Sequence, residues 1–463
     1  MAKLELDDTI AAIATPLGEG GISVIRLSGP GAFDCLRPFF LSTGRKSPDT
    51  FPANTIHWGR VVDAQGKLID QVLLSVFRSP QSYTGQDVLE VSCHGGLAVT
   101  KRILGLFLSN GARHAEPGEF TRRAFLNGKI DLPQAEAVLD LIHAKSNRSL
   151  DIAVRQLTGN LSKRFQGLKD LILRLLAHME AYIDFPDESL EVDVSSGMEQ
   201  QFSELLKTIR ALLEGFDRNQ LVREGALVTI VGKPNAGKSS LFNALLERDR
   251  ALVSELPHTT RDHLEESLEI KGFYIRIRDT AGLISMPEQA LEKLGMERTL
   301  QALKESHLVL FLTDGSRPLD DSDRHVFKQI PNGKQVIILI NKSDLPEKLE
   351  RTELARLTGR TDPIGISTKT REGLKEIERR MVAFLEQDMA EEGEQVTRLR
   401  HKHVLEKALE LIERAALSFR KKELFELITI DLRAALEIMK ELTGEVHSEE
   451  LLDMIFSEFC IGK

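Results

Sequence analysis

The sequence predicts an α/β and α+β multidomain protein, with a mostly parallel α/β domain inserted into a helical domain and an α+β domain in front of both. Three observations carry that prediction. The chain has 463 residues, more than one hydrophobic core holds, so about two to four domains are expected. From Leu227 to about residue 385, strand-like and helix-like runs alternate, the pattern of a parallel sheet with helices on both faces. Helical periodicity stands on both sides of that stretch, and short amphipathic helices need partners to bury their stripes.

Each part can be justified in order. Residues 1–120 mix short strands with Gly and Pro punctuation; "ISVIRLSG", "QVLLSVF" and "DVLEVSC" read as strands of an α+β domain. "GEGG" at 18–21 reads as a tight turn, because no Lys-Ser/Thr follows it. Residues 121–220 read as the first part of the helical domain. Leu132, Ala135, Val138, Leu139 and Ile142 recur at helical spacing, and the pattern continues to about 183. "DFPDESLEVDVSSG" breaks it, and another helix is expected over about 198–217. Residues 221–385 form the inserted domain. Residues 386–463 return to helix, with Val404, Ala408, Leu411, Ile412 and Ala415 on one face, and end in Cys-Ile-Gly-Lys.

Bulk properties narrow the function classes. A composition 41% hydrophobic and 28% charged is that of an ordinary soluble globular protein. Three cysteines exclude a disulfide framework and fit a reducing cytosol. No apolar run reaches membrane-spanning length, and the first residues lack a secretory pattern, so a cytoplasmic protein is expected. The formal net charge of −9 argues against broad nucleic-acid binding. Local basic runs, "TRRAFLNGK", "RLRHKH" and "RKK", read first as solvated faces.

The chemistry lies in the inserted domain. "LVTIVGKPNAGKSSLFNAL" holds Gly232-x4-Gly237-Lys238-Ser239 between a strand and a helix, the context a phosphate-binding loop requires. Its glycines let amides of Asn235, Ala236, Gly237, Lys238, Ser239 and Ser240 approach phosphates. Lys238 supplies a point charge, Ser239 a magnesium ligand, and the helix N-terminus its dipole. "DTAG" (Asp279, Thr280, Ala281, Gly282) would meet magnesium through water and the γ-phosphate through an amide. "HTTRD" offers Thr259, and Thr260 as a second magnesium ligand in a switch loop. "NKSD" (Asn341, Lys342, Asp344) follows a buried strand. A carboxylate at Asp344 accepts two N–H groups from guanine, which adenine cannot offer. "ISTK" (Ser367, Thr368, Lys369) would approach the guanine carbonyl. Together these predict a GTP-binding P-loop domain. One residue is out of pattern: Leu283 follows Gly282, where the Ras type has a glutamine that orients the attacking water.

These motifs resemble the translation-factor-related GTPases. Four further features resemble one family among them, the bacterial tRNA modification GTPases called MnmE or TrmE. They are "DTIAAIATPLGEGGISVIRLSG", "PGEFTRRAFLNGKIDLPQAEAVLDLI", the GTPase domain placed between helices, and the terminal "CIGK". The resemblance covers essentially the whole chain. It departs at His258, where the family usually has Gly before the two threonines.

The resemblance implies an answer for Leu283. Two GTPase domains would meet and bind potassium in place of an arginine finger, with Asn235, Ser254, Leu256 and Thr259 as ligands. Glu292 would orient the water through a second water; read without the family it is a surface helix residue, and Asn235 a turn former. The resemblance also implies that the N-terminal domain forms a homodimer and binds a 5-formyl or 5,10-methylene tetrahydrofolate through Arg26, Glu90, Lys129 and Lys463; otherwise each reads as a structural ion pair. Cys460 would take part in the chemistry directly or tune the site, whereas Cys35 and Cys93 read as buried thiols. The implied partners are tRNA and an FAD- and NADH-dependent protein, MnmG (GidA). The implied product is a carboxymethylaminomethyl or aminomethyl group at C5 of the wobble uridine. Two other readings stay open on the residues alone: a switch-only GTPase in regulation or ribosome assembly, and a folate-dependent methyltransferase with a fused switch.

Overall fold

Alternating burial shows why the N-terminal strands form one sheet. The computed structural model describes residues 8–44, 46–184, 193–249, 265–279, 300–386 and 396–463. In it β1 (Thr9–Ile13), β2 (Gly20–Ser28), β3 (Phe40–Ser42), β4 (Thr55–Val62), β5 (Leu68–Phe77), β6 (Val88–Gly95) and β7 (Ala112–His114) pair in the order β3-β4-β5-β6-β2-β1-β7. Ile25 and Leu27 of β2, Val72, Leu74 and Val76 of β5, and Leu89 and Val91 of β6 point one way and are buried. The helix Leu97–Ser109 covers them with Ile103, Leu104 and Phe107. The opposite face is covered at Ile10, Ala12 and Arg26 but exposes Ile22, Ile56, Trp58 and Leu73. Cys35 and Cys93 are buried, and burial pushes both thiols above the usual range.

The chain divides into two compact units: Met1–Ile142, Arg155–Leu205 and Lys407–Lys463 form one, His143–Val154 and Leu206–Glu406 the other. In the first, the helix Asn160–Asp184 packs along Phe425–Thr443. Within its core the Lys169 ammonium is 3% exposed and is paired with Glu445. The helix Glu119–Leu126 is pinned on two sides. Arg123, fully buried, binds Glu119 and donates to the Asp8 carbonyl at 2.8 Å. Arg122 reaches the terminal helix Glu449–Ser457, at 2.6 Å from Glu449 and 2.7 Å from Asp453. That second grip fixes where the last residues of the chain begin.

The second unit is built on β8 (Ala226–Val231), β9 (Glu265–Ile270), β10 (Phe273–Asp279), β11 (Leu308–Asp314), β12 (Gln335–Asn341) and β13 (Ile364–Gly365), in the order β13-β12-β11-β8-β10-β9. Only β9 runs antiparallel to its neighbour. Every residue of β8 and β11 is buried, as continuous apolar strands covered on both faces must be. The carboxyl ends of β8, β11 and β12 lead into the loops with the expected nucleotide motifs, at the edge where open α/β sheets bind ligands. The fold class is the expected one: an α/β unit with a mostly parallel sheet, bracketed in sequence by helices, behind an α+β sheet.

Candidate functional site

The loop after β8 gathers the residues that the sequence analysis expects at the phosphates. Gly232 leaves the strand so close to β11 that a Cβ there would lie 2.4 Å from the Leu312 carbonyl. Asn235 takes the left-handed conformation at φ 63°, with its side chain exposed. Gly237, at φ +100°, faces Asn341; a Cβ would lie 2.2 Å from that amide nitrogen. The helix then opens at Lys238. Lys238 is buried, and its ammonium donates to the carbonyls of Gly232 at 2.9 Å and Lys233 at 3.1 Å. Burial lowers its pKa against the opposing charge of Asp279. Ser239 donates to the Asp279 carboxylate at 2.8 Å, so the two residues expected near magnesium are brought together.

The two loops expected to read the base are bound to the same loop. Buried Asn341 donates to the Ala236 carbonyl at 2.8 Å and accepts the Thr368 N–H at 3.2 Å, tying three loops together. Lys342, left-handed at φ 64°, pairs with Asp314 at 2.6 Å. Asp344 is exposed and accepts from the Ser367 hydroxyl at 2.7 Å. That hydroxyl orients one oxygen of the carboxylate. Ser367 and Thr368 use their own amides within the loops, toward Glu372 and Asn341. Lys369 is exposed beside them. Ser240 is exposed on the first turn of the helix. Ser254, Leu256, His258, Thr259, Thr260, Thr280, Ala281, Gly282, Leu283 and Glu292 lie outside the described residues.

A second cluster lies in the N-terminal sheet. Arg26 of β2 and Glu90 of β6 are cross-strand partners, and their side chains pair at 2.8 Å. The guanidinium also donates to the Gly462 carbonyl at 3.1 Å and lies over the rings of Tyr83 and Phe120 at 5.7 and 5.5 Å. The C-terminal tail is seated there by main-chain bonds. Gly118 donates to the Cys460 carbonyl at 3.5 Å and Phe120 to the Lys463 carbonyl at 3.1 Å; Ile461 bridges to Pro117. Burial lowers the Lys463 pKa, and the Arg26 charge adds to that. Cys460 is exposed. Lys129 instead donates to the Pro80 carbonyl at 2.9 Å, on the loop that leads to Tyr83. Tyr83 and Phe120 went unnoticed in the sequence. Tyr83 is one of three tyrosines in the chain, set between turn residues, and that was the available signal.

Sequence comparison decides the family. The description "MnmE helical domain" matches residues 132–460, and "GTP-binding protein TrmE N-terminus" matches residues 9–129. The tRNA modification GTPase MnmE of Carboxydothermus hydrogenoformans is 42% identical over 462 residues, covering 99% of this chain and 100% of that one. That of Desulforamulus reducens is 43% identical, with the same coverage. The chain belongs to the MnmE family of tRNA modification GTPases. Among solved structures, Aquifex aeolicus Era bound to GDP and AlF4− is 27% identical, covering 40% of this chain and 67% of its own, at a TM-score of 0.28. Membership in the MnmE family makes the chain a GTP-hydrolysing enzyme of tRNA modification and removes the switch-only reading. Among the described residues, no helix is long and apolar enough to cross a membrane.

Proposed function

We propose that the chain uses GTP turnover to drive installation of a carboxymethylaminomethyl or aminomethyl group at C5 of the wobble uridine, together with the FAD-dependent MnmG protein. The tail supports this reading most directly: Gly462, two residues after Cys460, accepts from Arg26 of the Arg26–Glu90 pair. A GTPase acting only as a switch has no use for an exposed thiol two residues from the Gly462 carbonyl that a partly buried arginine–carboxylate pair holds.

In this reading the N-terminal cluster takes a tetrahydrofolate one-carbon carrier, 5-formyl or 5,10-methylene. The residues present fit that group. Glu90 can hold amino and ring N–H groups of a pterin bidentately, and the rings of Tyr83 and Phe120 wall the site. Arg26, Lys129 and Lys463 supply the cations for carbonyl and carboxylate oxygens. When bound, the carrier supplies the one-carbon unit. Cys460 and Lys463, whose main-chain carbonyls are held by Gly118 and Phe120, would act on it. The flavin belongs to the partner protein.

GTP would lie on residues 235–240, with its base against Asp344, Lys342 and the loop 367–369. Ser239 and Thr260 would ligate magnesium, the first already hydrogen-bonded to Asp279. Glu292 would orient the water through a second water, replacing the absent glutamine. Asn235, Ser254, Leu256 and Thr259 would hold potassium when two GTPase domains meet. The sheet face with Ile22, Ile56, Trp58 and Leu73 exposed supports a homodimer through the N-terminal domain. The test is mass spectrometry of tRNA nucleosides from cells lacking the chain, then from cells given it back intact or as Cys460→Ser. Only the intact chain should restore the C5-substituted uridine. A uridine profile untouched by deletion would overturn the proposal.

A further inference from the structure

The phosphate loop holds two lysines, and their surroundings assign them opposite tasks. Lys233 follows Gly232 and is 4% exposed. Its ammonium lies 2.7 Å from Asp320 and 2.5 Å from Asp323. Both carboxylates belong to the start of the helix Asp321–Lys328, where they also form a capping box: Asp320 accepts the N–H groups of Ser322 and Asp323, and Asp323 accepts that of Asp320. Asp323 is 2% exposed, and its second oxygen has no hydrogen-bond partner among the described residues. The Lys233 ammonium is therefore committed to two acids, and Lys238 alone is left to phosphate. The main chain of Lys233 faces the other way: its carbonyl accepts from the Lys238 ammonium at 3.1 Å and from the Ala236 N–H at 3.3 Å.

We infer that Lys233 is a positioning residue of the nucleotide site: its ion pair with Asp320 and Asp323 clamps the phosphate loop while Lys238 exchanges main-chain carbonyls for phosphate oxygens. It rests on residues 232–239 being the phosphate site. Two physical reasons favour a clamp over a plain helix cap. A loop fixed before binding loses less conformational freedom when the ligand arrives. Without the ammonium, two adjacent carboxylates, one fully buried, would be left uncompensated beside a site that must accept a polyanion. Both effects act on nucleotide affinity rather than on the chemical step. Nothing in the spacing of the loop residues announces this role, because the partners lie 87 and 90 residues away.

The test uses the full chain and a fluorescent GDP analogue. Lys233→Met should raise the dissociation constant at least tenfold, mostly through faster release, while kcat at saturating GTP falls less than threefold. Lys233→Arg should restore binding to within about threefold, since a guanidinium can span both acids. In a double-mutant cycle, Asp323→Asn added to Lys233→Met should cost less than the sum of the two. If Lys233→Met does not fold, Asp320→Asn, whose carboxylate is half exposed, replaces it, with a smaller rise of about threefold expected. Variants that lower the melting temperature but leave affinity unchanged would reduce the pair to a helix cap and overturn the inference. Lys238→Ala separates the two readings: if it too binds GDP normally, the loop is not the phosphate site and the premise itself fails.

Discussion

At the residue scale, nucleotide choice turns on one carboxylate. Asp344 is exposed, with one oxygen turned by the Ser367 hydroxyl at 2.7 Å. Charge-assisted hydrogen bonds contribute about 1.5–3 kcal/mol each, and an asparagine at this position would offer one acceptor and one donor where guanine presents two donors. Asp344→Asn should therefore weaken GTP binding about tenfold to a hundredfold. The same change should improve binding of xanthosine triphosphate, whose extra carbonyl meets the new donor. Calorimetric titration with both nucleotides checks this; unchanged GTP affinity would remove Asp344 from base recognition. That Lys238, Ser239, Asp279 and Asp344 stand at or just after strand ends was legible, because a phosphate loop and a guanine loop each demand a residue type at a fixed distance from a strand end. The place of Asp320 and Asp323 was not. On the sequence they are two more acids in "LDDSDRH", and only the fold brings them to Lys233.

At the element scale, the expected strands are present because their side chains alternate. β2, β5 and β6 each bury every second residue on one face. The seat of the tail was not legible from periodicity, since a short terminal segment has none; the family resemblance alone pointed to it. The structure supplies the reason it stays. Arg122 fixes the terminal helix, and Gly462 passes so close to β1 that a Cβ would lie 2.4 Å from the Ile13 carbonyl. Gly462 also sits at φ +97°, which costs a residue with a Cβ about 1–2 kcal/mol. Gly462→Ala should thus unseat the tail without touching Cys460 itself. The Phe120 amide, which donates to the Lys463 carbonyl, then loses its acceptor and should exchange its proton at least about tenfold faster. Hydrogen exchange followed by mass spectrometry reads this directly. Unchanged protection would mean that the tail tolerates a methyl group, and that its seat depends on Arg26 rather than on close approach.

At the scale of the whole molecule, the chain crosses between its two units four times, so neither is a simple appendage of the other. Hydrolysis places its own demand on the chain. Negative charge develops on the phosphoryl oxygens in the transition state, and GTPases without an internal arginine need a cation from outside. Lys233 cannot serve, because its ammonium is held by two carboxylates, and Lys238 is proposed for the phosphates themselves. Asn235 stands in the loop at φ 63° with its side chain exposed, so its amide oxygen can face an incoming ion. A site built from one amide oxygen and loop carbonyls favours a large, weakly hydrated monovalent cation, since such oxygens replace a loose hydration shell at low cost. Turnover should then be at least about tenfold faster in potassium than in sodium chloride at equal ionic strength, because tenfold is about 1.4 kcal/mol of transition-state stabilisation, modest for a cation at this position. The potassium gain should grow with protein concentration if two GTPase domains must meet to complete the site. Asn235→Ala should erase it while leaving GDP affinity within about threefold, because the amide contributes to the ion rather than to the ground-state nucleotide. Equal rates in the two salts would show that this chain draws its transition-state charge from elsewhere.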